Sequence, residues 1–164
     1  MKFTRKTDYA LRALQNLTRR FYEAEENGLP VRPVAVQILA EDSGLSLAFL
    51  GGIMASLSRD GVVKAVPGPK GGVTLGRLPE AISILDIVQS VEGSINLMEC
   101  ISHPENCKDA SGCTIMAVLH NAQDALVSSL RGTNLRLMVR AKVSPFHPRP
   151  EDFQVPQFGC PVLK

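Results

Sequence analysis

A mainly helical chain carrying one small β-hairpin is the fold class that the 164 residues predict. Three observations carry it. Apolar residues recur at helical spacing along most of the chain, one pair of short apolar runs flanks a proline and glycine turn, and a long amphipathic pattern follows a loop holding three cysteines.

Taken in order, Thr7 or Asp8 can cap a first helix in which Tyr9, Ala10, Ala13, Leu14, Leu17 and Phe21 share one face. Gly28, Pro30 and Pro33 then make residues 23–33 a loop. Residues 34–42 read as a short helix, Ser43 and Gly44 as a turn, and Ser46 as the cap of a helix over 46–59 that closes at Asp60 and Gly61. Helix, tight glycine turn, helix is the pattern of a helix-turn-helix. Residues 62–66, the turn PGPKGG and residues 73–75 add a strand, a turn and a strand, which is a wing beside the second helix. A winged helix-turn-helix over residues 1–78 is the result.

A further helix follows, with Pro79 near its start and Ile82, Leu85, Ile87, Val88 and Val91 as its apolar positions, ending at Glu92 and Gly93. Residues 114–131 place Ile115, Leu119, Ala122, Leu126 and Leu130 on one face of a long helix. Such a stripe has to be covered. A second copy related by a two-fold axis is the expected cover, and packing back on the same domain is the alternative. Residues 79–142 therefore read as the cysteine loop and dimerisation helices. Residues 143–164 form a tail with Pro145, Pro148, Pro150, Pro156 and Pro161, expected to be extended or disordered, with Phe146, Phe153 and Phe158 able to dock it on the body. Cys160, within it, has no assigned role.

A net charge of +2 says little about partners, but its distribution says more. Residues 1–20 hold Lys2, Arg5, Lys6, Arg12, Arg19 and Arg20 against Asp8 alone. Lys2, Arg5 and Lys6 are candidate phosphate contacts, the alternative being a solvated helix face. Ser46, Ser56 and Arg59 on the second helix of the motif, and Lys70 at the wing tip, complete the candidate DNA-binding set. No apolar run approaches the roughly 20 residues of a membrane span, so a cytoplasmic protein without a membrane partner is expected. An enzyme is not expected, because no nucleophile motif, phosphate loop or paired carboxylates occur in a recognisable setting.

Cys100, Cys107 and Cys113 are separated by six and five intervening residues, with Pro104, Asn106, Asp109, Ser111 and Gly112 among them. Thiolates are soft ligands, and a loose loop of three suits an iron–sulfur cluster that takes its fourth ligand elsewhere. Three reduced thiols, or a redox disulfide between two of them, are the competing readings. His103 is a competing imidazole inside the loop.

The segments KFTRKTDYALRAL, AEDSGLSLAFLGGIMASLSRDGVVKAVPGPKGGVTL, ISILDIVQSVEGSINLMEC and CTIMAVLHNAQDAL together resemble the IscR/NsrR/CymR family of winged-helix regulators, the Rrf-two superfamily, over roughly residues 1–135. The resemblance implies a homodimeric transcription regulator, commonly a repressor, that binds a double-stranded DNA operator and senses iron–sulfur supply, nitric oxide or redox state. It implies an iron–sulfur cluster, [4Fe-4S] by preference and [2Fe-2S] as the second form, on Cys100, Cys107 and Cys113. Met116 stands where cluster-biogenesis members carry a histidine ligand, whereas Asp8 stands where nitric-oxide-sensing members carry an aspartate donated by the other subunit. The first cysteine gap is one residue longer than is common in cluster-binding relatives.

The chain departs from the family where DNA is read. Gly51 and Gly52 replace a frequent Glu-Gln pair, and Pro67 replaces a frequent wing arginine. Two interior glycines cost a helix about 2 kcal/mol relative to alanine and offer no side chain to a base. Two other functions therefore stay in view: a cluster-free thiol-switch repressor, and an iron–sulfur carrier or electron-transfer protein that has lost DNA binding.

Overall fold

The computed structural model describes residues 3–108 and 112–140. Lys2, Cys160 and the expected tail lie outside the described residues. The first helix, α1 (Arg5–Glu26), is capped by Thr4, not by Thr7 or Asp8. The Thr4 hydroxyl accepts from the Lys6 amide at 3.2 Å, while Thr7 is buried inside the first turn. At its other end α1 runs through residues 23–26, which the sequence reads as loop. The Asn27 side chain donates to the Glu23 carbonyl at 2.6 Å and closes the helix there.

Helix α2 (Val36–Ser43) begins later than the expected residue 34, because Val34 is engaged in strand pairing. Its amide donates to the Val73 carbonyl at 2.9 Å and its carbonyl accepts from the Val73 amide at 2.8 Å. Gly44 turns the chain with φ of 65°, a conformation that favours glycine. Ser46 then caps α3 (Leu47–Arg59), its hydroxyl accepting from the Phe49 amide at 3.3 Å. The chain bends by 118° between α2 and α3, within the range of a helix-turn-helix.

Strands β1 (Val63–Val66) and β2 (Gly72–Leu75) pair antiparallel, with Val63 opposite Leu75 and Val66 opposite Gly72. A Cβ on Gly72 would stand 2.2 Å from the Val34 carbonyl oxygen, so only glycine lets the Val34 segment join the wing. Pro79 opens a separate 3-10 turn (Pro79–Ala81) and not the next helix. That helix, α4 (Ile84–Glu92), starts from a capping box between Ser83 and Asp86.

Beyond α4 come α5 (Glu99–Ser102), a 3-10 turn (Pro104–Asn106), α6 (Thr114–Gly132) and α7 (Leu135–Arg140). The chain entering α7 returns to the head of α4. The Ile84 amide bonds the Thr133 carbonyl at 2.8 Å and the Leu135 amide bonds the Ile82 carbonyl at 3.0 Å. One apolar cluster joins Leu14 of α1, Leu39 of α2, Leu50 and Leu57 of α3, Ile87 of α4 and Leu135, all fully buried. Tyr22 and Glu80 lock the far end of α1. Tyr22 donates to Glu80 at 2.8 Å, Arg136 pairs with Glu80 at 3.3 Å, and the Arg140 guanidinium lies 5.4 Å over the Tyr22 ring. Burial, and then the bond to Glu80, push the Tyr22 hydroxyl up to about 12.

The expected single face of α6 is divided in two. Leu119, Leu126 and Leu130 are half-buried, the last two against the core, whereas Ile115 and Ala122 are exposed. With Val118, these exposed residues form a second stripe. Ile115 is 65% and Val118 64% exposed, and no residue of α6 is fully buried.

Candidate nucleic-acid interface and cysteine loop

Arg5 and Lys6 occupy the first turn of α1, both exposed. Two open cavities flank α3. Lys6, Ala48, Phe49, Gly52, Ser56 and Val91 line one of about 270 Å³ on the α1 side. Gly51, Ser58, Arg59, Ala65 and Gly72 line one of about 530 Å³ on the wing side. The structure thus brings Lys6 and Ser56 together and sets Arg59 toward the wing. The Arg59 guanidinium also reaches back to donate to the Ser56 hydroxyl at 3.2 Å. Tyr9 meets Phe49 edge-on at 5.8 Å, fastening α1 to α3. Ser46 spends its oxygen on the helix cap but keeps its own proton to donate. Lys70 is exposed in the turn between the strands.

A Cβ on Gly51 or Gly52 would meet nothing within 4 Å. Neither residue has positive φ. The chain's own packing therefore does not require glycine at either place.

In the cysteine loop, Cys100 sits on α5, Cys107 follows the 3-10 turn and Cys113 caps α6. All three are free and half-buried. The Cys113 sulfur accepts from the Met116 amide at 3.4 Å. The approach to the loop is anchored on α6, where the Gln123 side chain accepts from the Leu97 amide at 2.9 Å. Among the described residues, no group of three or more His, Cys, Asp or Glu side chains is gathered for a metal ion. The three thiols are thus presented by one loop without being drawn together within one chain.

Asp8 stands apart from them on α1, exposed, with both carboxylate oxygens 3.0 Å from Arg12 Nε. His103 pairs with Glu105 at 3.1 Å.

The sequence reading missed a third feature, the carboxylate of Glu92 at the end of α4. It accepts from the Thr4 amide and from the hydroxyls of Thr4 and Thr7. Burial alone would raise its pKa, but the bonds from Thr4 and Thr7, with Lys6 nearby, outweigh that and hold it below the usual carboxylate value. The available signal was a glutamate in the last turn of a helix, where the helix dipole disfavours negative charge.

A family model described as Rrf2, Iron-dependent Transcriptional regulator, matches residues 3–141. The chain belongs to the Rrf2 family. This Rrf2 chain is 32% identical over 143 residues to the HTH-type transcriptional regulator NsrR of Bacillus subtilis, spanning 87% of this chain and 92% of the relative. It superposes on T. potens IscR with a TM-score of 0.63 at 27% identity, covering 85% of this chain and 86% of that one. CymR (YrzC), the global cysteine regulator of B. subtilis, shares the fold with a TM-score of 0.62 at 24% identity, covering 85% and 96%. The family and its named relatives make this Rrf2 protein a DNA-binding transcription regulator and not an enzyme. No single helix among the described residues is long and apolar enough to cross a membrane.

Proposed function

We propose that this Rrf2 protein is a homodimeric repressor that binds a double-stranded operator. It senses redox state, nitric oxide or iron–sulfur status through a cluster, [4Fe-4S] by preference and [2Fe-2S] as the second form. Residues 1–78 read DNA, and residues 79–142 sense and pair. The observation that carries this is the exposed stripe of Ile115, Val118 and Ala122, which begins at the cysteine loop and runs along a helix with no fully buried residue. A second copy laid on that stripe would sit next to the thiols.

Cys100, Cys107 and Cys113 would hold the cluster, and their donor chemistry fits it: three soft thiolates from one loop, all free. Asp8 of the second copy is the proposed fourth ligand. Its pairing with Arg12 is exposed on both sides, and surface pairs are worth roughly 0–1 kcal/mol, so exchanging that partner costs little. The bound cluster would supply an iron centre, weakly held by a hard carboxylate, that a small molecule can attack. The chain's own part is to hold the loop between α5 and α6 and to set the spacing of two winged helices through the α6 stripe. Lys2, Arg5, Lys6, Arg59 and Lys70 would meet phosphate, with Ser46 and Ser56 nearer the bases.

Anaerobic purification with visible absorption and an iron and sulfide count, on wild type and Asp8→Ala, tests the reading. Brown protein with near-equal iron and sulfide, losing them faster in the variant, is expected. Colourless protein under strict anaerobiosis contradicts it.

The ungathered free thiols favour a second reading, a cluster-free thiol switch. It predicts no iron, and a two-proton mass loss on oxidation that reductant reverses.

A further inference from the structure

Glu92 ends α4, yet its carboxylate serves a different helix. Its Oε1 accepts from the Thr4 amide at 2.9 Å, the Thr4 hydroxyl at 2.6 Å and the Thr7 hydroxyl at 2.5 Å. A carboxylate at a helix C-terminus faces partial negative charge, and at an N-terminus partial positive charge. The placement is therefore unfavourable for α4 and favourable for α1. Thr7 is only 3% exposed and Glu92 is half-buried, so their bond is partly shielded from solvent. On the α1 side of α3, Lys6 and Val91, the neighbour of Glu92, line the same cavity as Phe49, Gly52 and Ser56. One carboxylate thus ties the turn that carries Arg5 and Lys6 to the end of α4, beside a cavity that α3 also lines.

We infer that Glu92 is a positioning residue for DNA binding: it clamps the first turn of α1 so that Arg5 and Lys6 reach phosphate as a pre-ordered pair beside α3. The inference rests on the reading that this turn meets DNA. Helix ends fray when their first amides lack partners, and a frayed turn no longer holds Arg5 and Lys6 against phosphate, so their contacts are lost. Glu92 also carries a negative charge, which by itself repels phosphate. Losing the clamp and losing the charge therefore act on affinity in opposite directions, and the two can be separated.

The probe is a fluorescent duplex that the wild-type protein enriches from a random-sequence pool, titrated across a range of salt concentrations. For Glu92→Ala the expected result is roughly tenfold weaker binding and a log K against log salt slope reduced by up to about 2, the share of two phosphate contacts. Glu92→Gln keeps an acceptor oxygen and loses the charge, so it binds at least as tightly as wild type with an unchanged slope. Thr4→Ala/Thr7→Val keeps the charge and removes both hydroxyl donors. Because the repelling charge stays, it predicts a loss at least as large as that of Glu92→Ala, and it serves if that variant does not fold. In an Arg5→Ala/Lys6→Ala background, Glu92→Ala adds no further loss.

Tightening by both Glu92→Ala and Glu92→Gln, the signature of charge alone, overturns the inference. So does weakening by Glu92→Ala at an unchanged slope, the signature of a smaller folded fraction. An unchanged slope in Arg5→Ala/Lys6→Ala overturns the reading that this turn meets DNA, and the inference with it. A reduced slope there beside a wild-type slope in Glu92→Ala overturns the inference alone.

Discussion

The winged-helix body and the cysteine-loop side of the molecule are built on opposite principles. In the body, Leu14, Leu39, Leu50 and Leu57 are wholly buried in one apolar cluster, and the turns are fastened by capping bonds from Thr4, Ser46 and Ser83. On the other side α6 has no fully buried residue, Val118 and Ile115 face solvent, and three thiols stand in one loop without being gathered. The body closes on itself, whereas the loop side leaves apolar and thiol groups without a partner among the described residues. The contrast supports the proposed division between a reading head that is complete alone and a sensing side completed by a second copy.

Breaking the body should have the largest effect. Leu57→Ala removes a side chain with 0% exposure from α3 and is expected to cost about 2–5 kcal/mol in chemical denaturation, with DNA binding lost alongside. The stripe should behave differently. Val118→Asp should leave stability within about 0.5 kcal/mol per chain as a surface change, while light scattering shows the mass of a single chain. Operator affinity should then fall at least roughly tenfold, about 1.4 kcal/mol, because one head binds without its pair. An intact dimer in that variant would place the pairing surface elsewhere.

Smaller effects sharpen the same contrast. Arg59→Ala and Lys70→Ala should each lower the salt slope of binding by about 1 with no change in oligomeric mass. Asp8→Asn loses only an exposed ion pair with Arg12, so stability should move by roughly 0–1 kcal/mol, while iron should leave the protein faster under air. The acid limb gives the least. Glu92 is held below the usual carboxylate value in the folded chain, so its contribution is present above the unfolded value and is lost as pH falls through the lower folded value. Acid unfolding followed by circular dichroism should therefore be steeper in wild type than in Glu92→Gln.

Much of the body was legible because its signals are local. Ser46 before an apolar run, Gly44 in the turn and PGPKGG between two strands each act through their own neighbours. What escaped was set at long range. Thr7 and Asp8 are cap-like residues, yet Thr4 is the cap, and Glu92, 88 positions away, holds its amide and hydroxyl. The head of α4 is fixed partly by Thr133 and Leu135, which pair with Ile84 and Ile82, and nothing near 135–140 announces α7. In α6 two apolar stripes lie side by side at helical spacing. Periodicity merges them, and only the packed neighbours show that Leu126 and Leu130 turn inward while Ile115 and Val118 do not. In the candidate site, the cysteine spacing was legible and its assembly was not, because the thiols are not gathered within one chain.

The most direct measurement is operator affinity of the same preparation with and without its cluster. Anaerobic protein, loaded and then stripped by a chelator under reductant, would be titrated against a duplex enriched from a random pool. A change of at least roughly tenfold between the two forms, about 1.4 kcal/mol, restored on reloading, is predicted. Equal affinity of loaded and stripped protein would contradict the claim that the cysteine loop governs DNA binding.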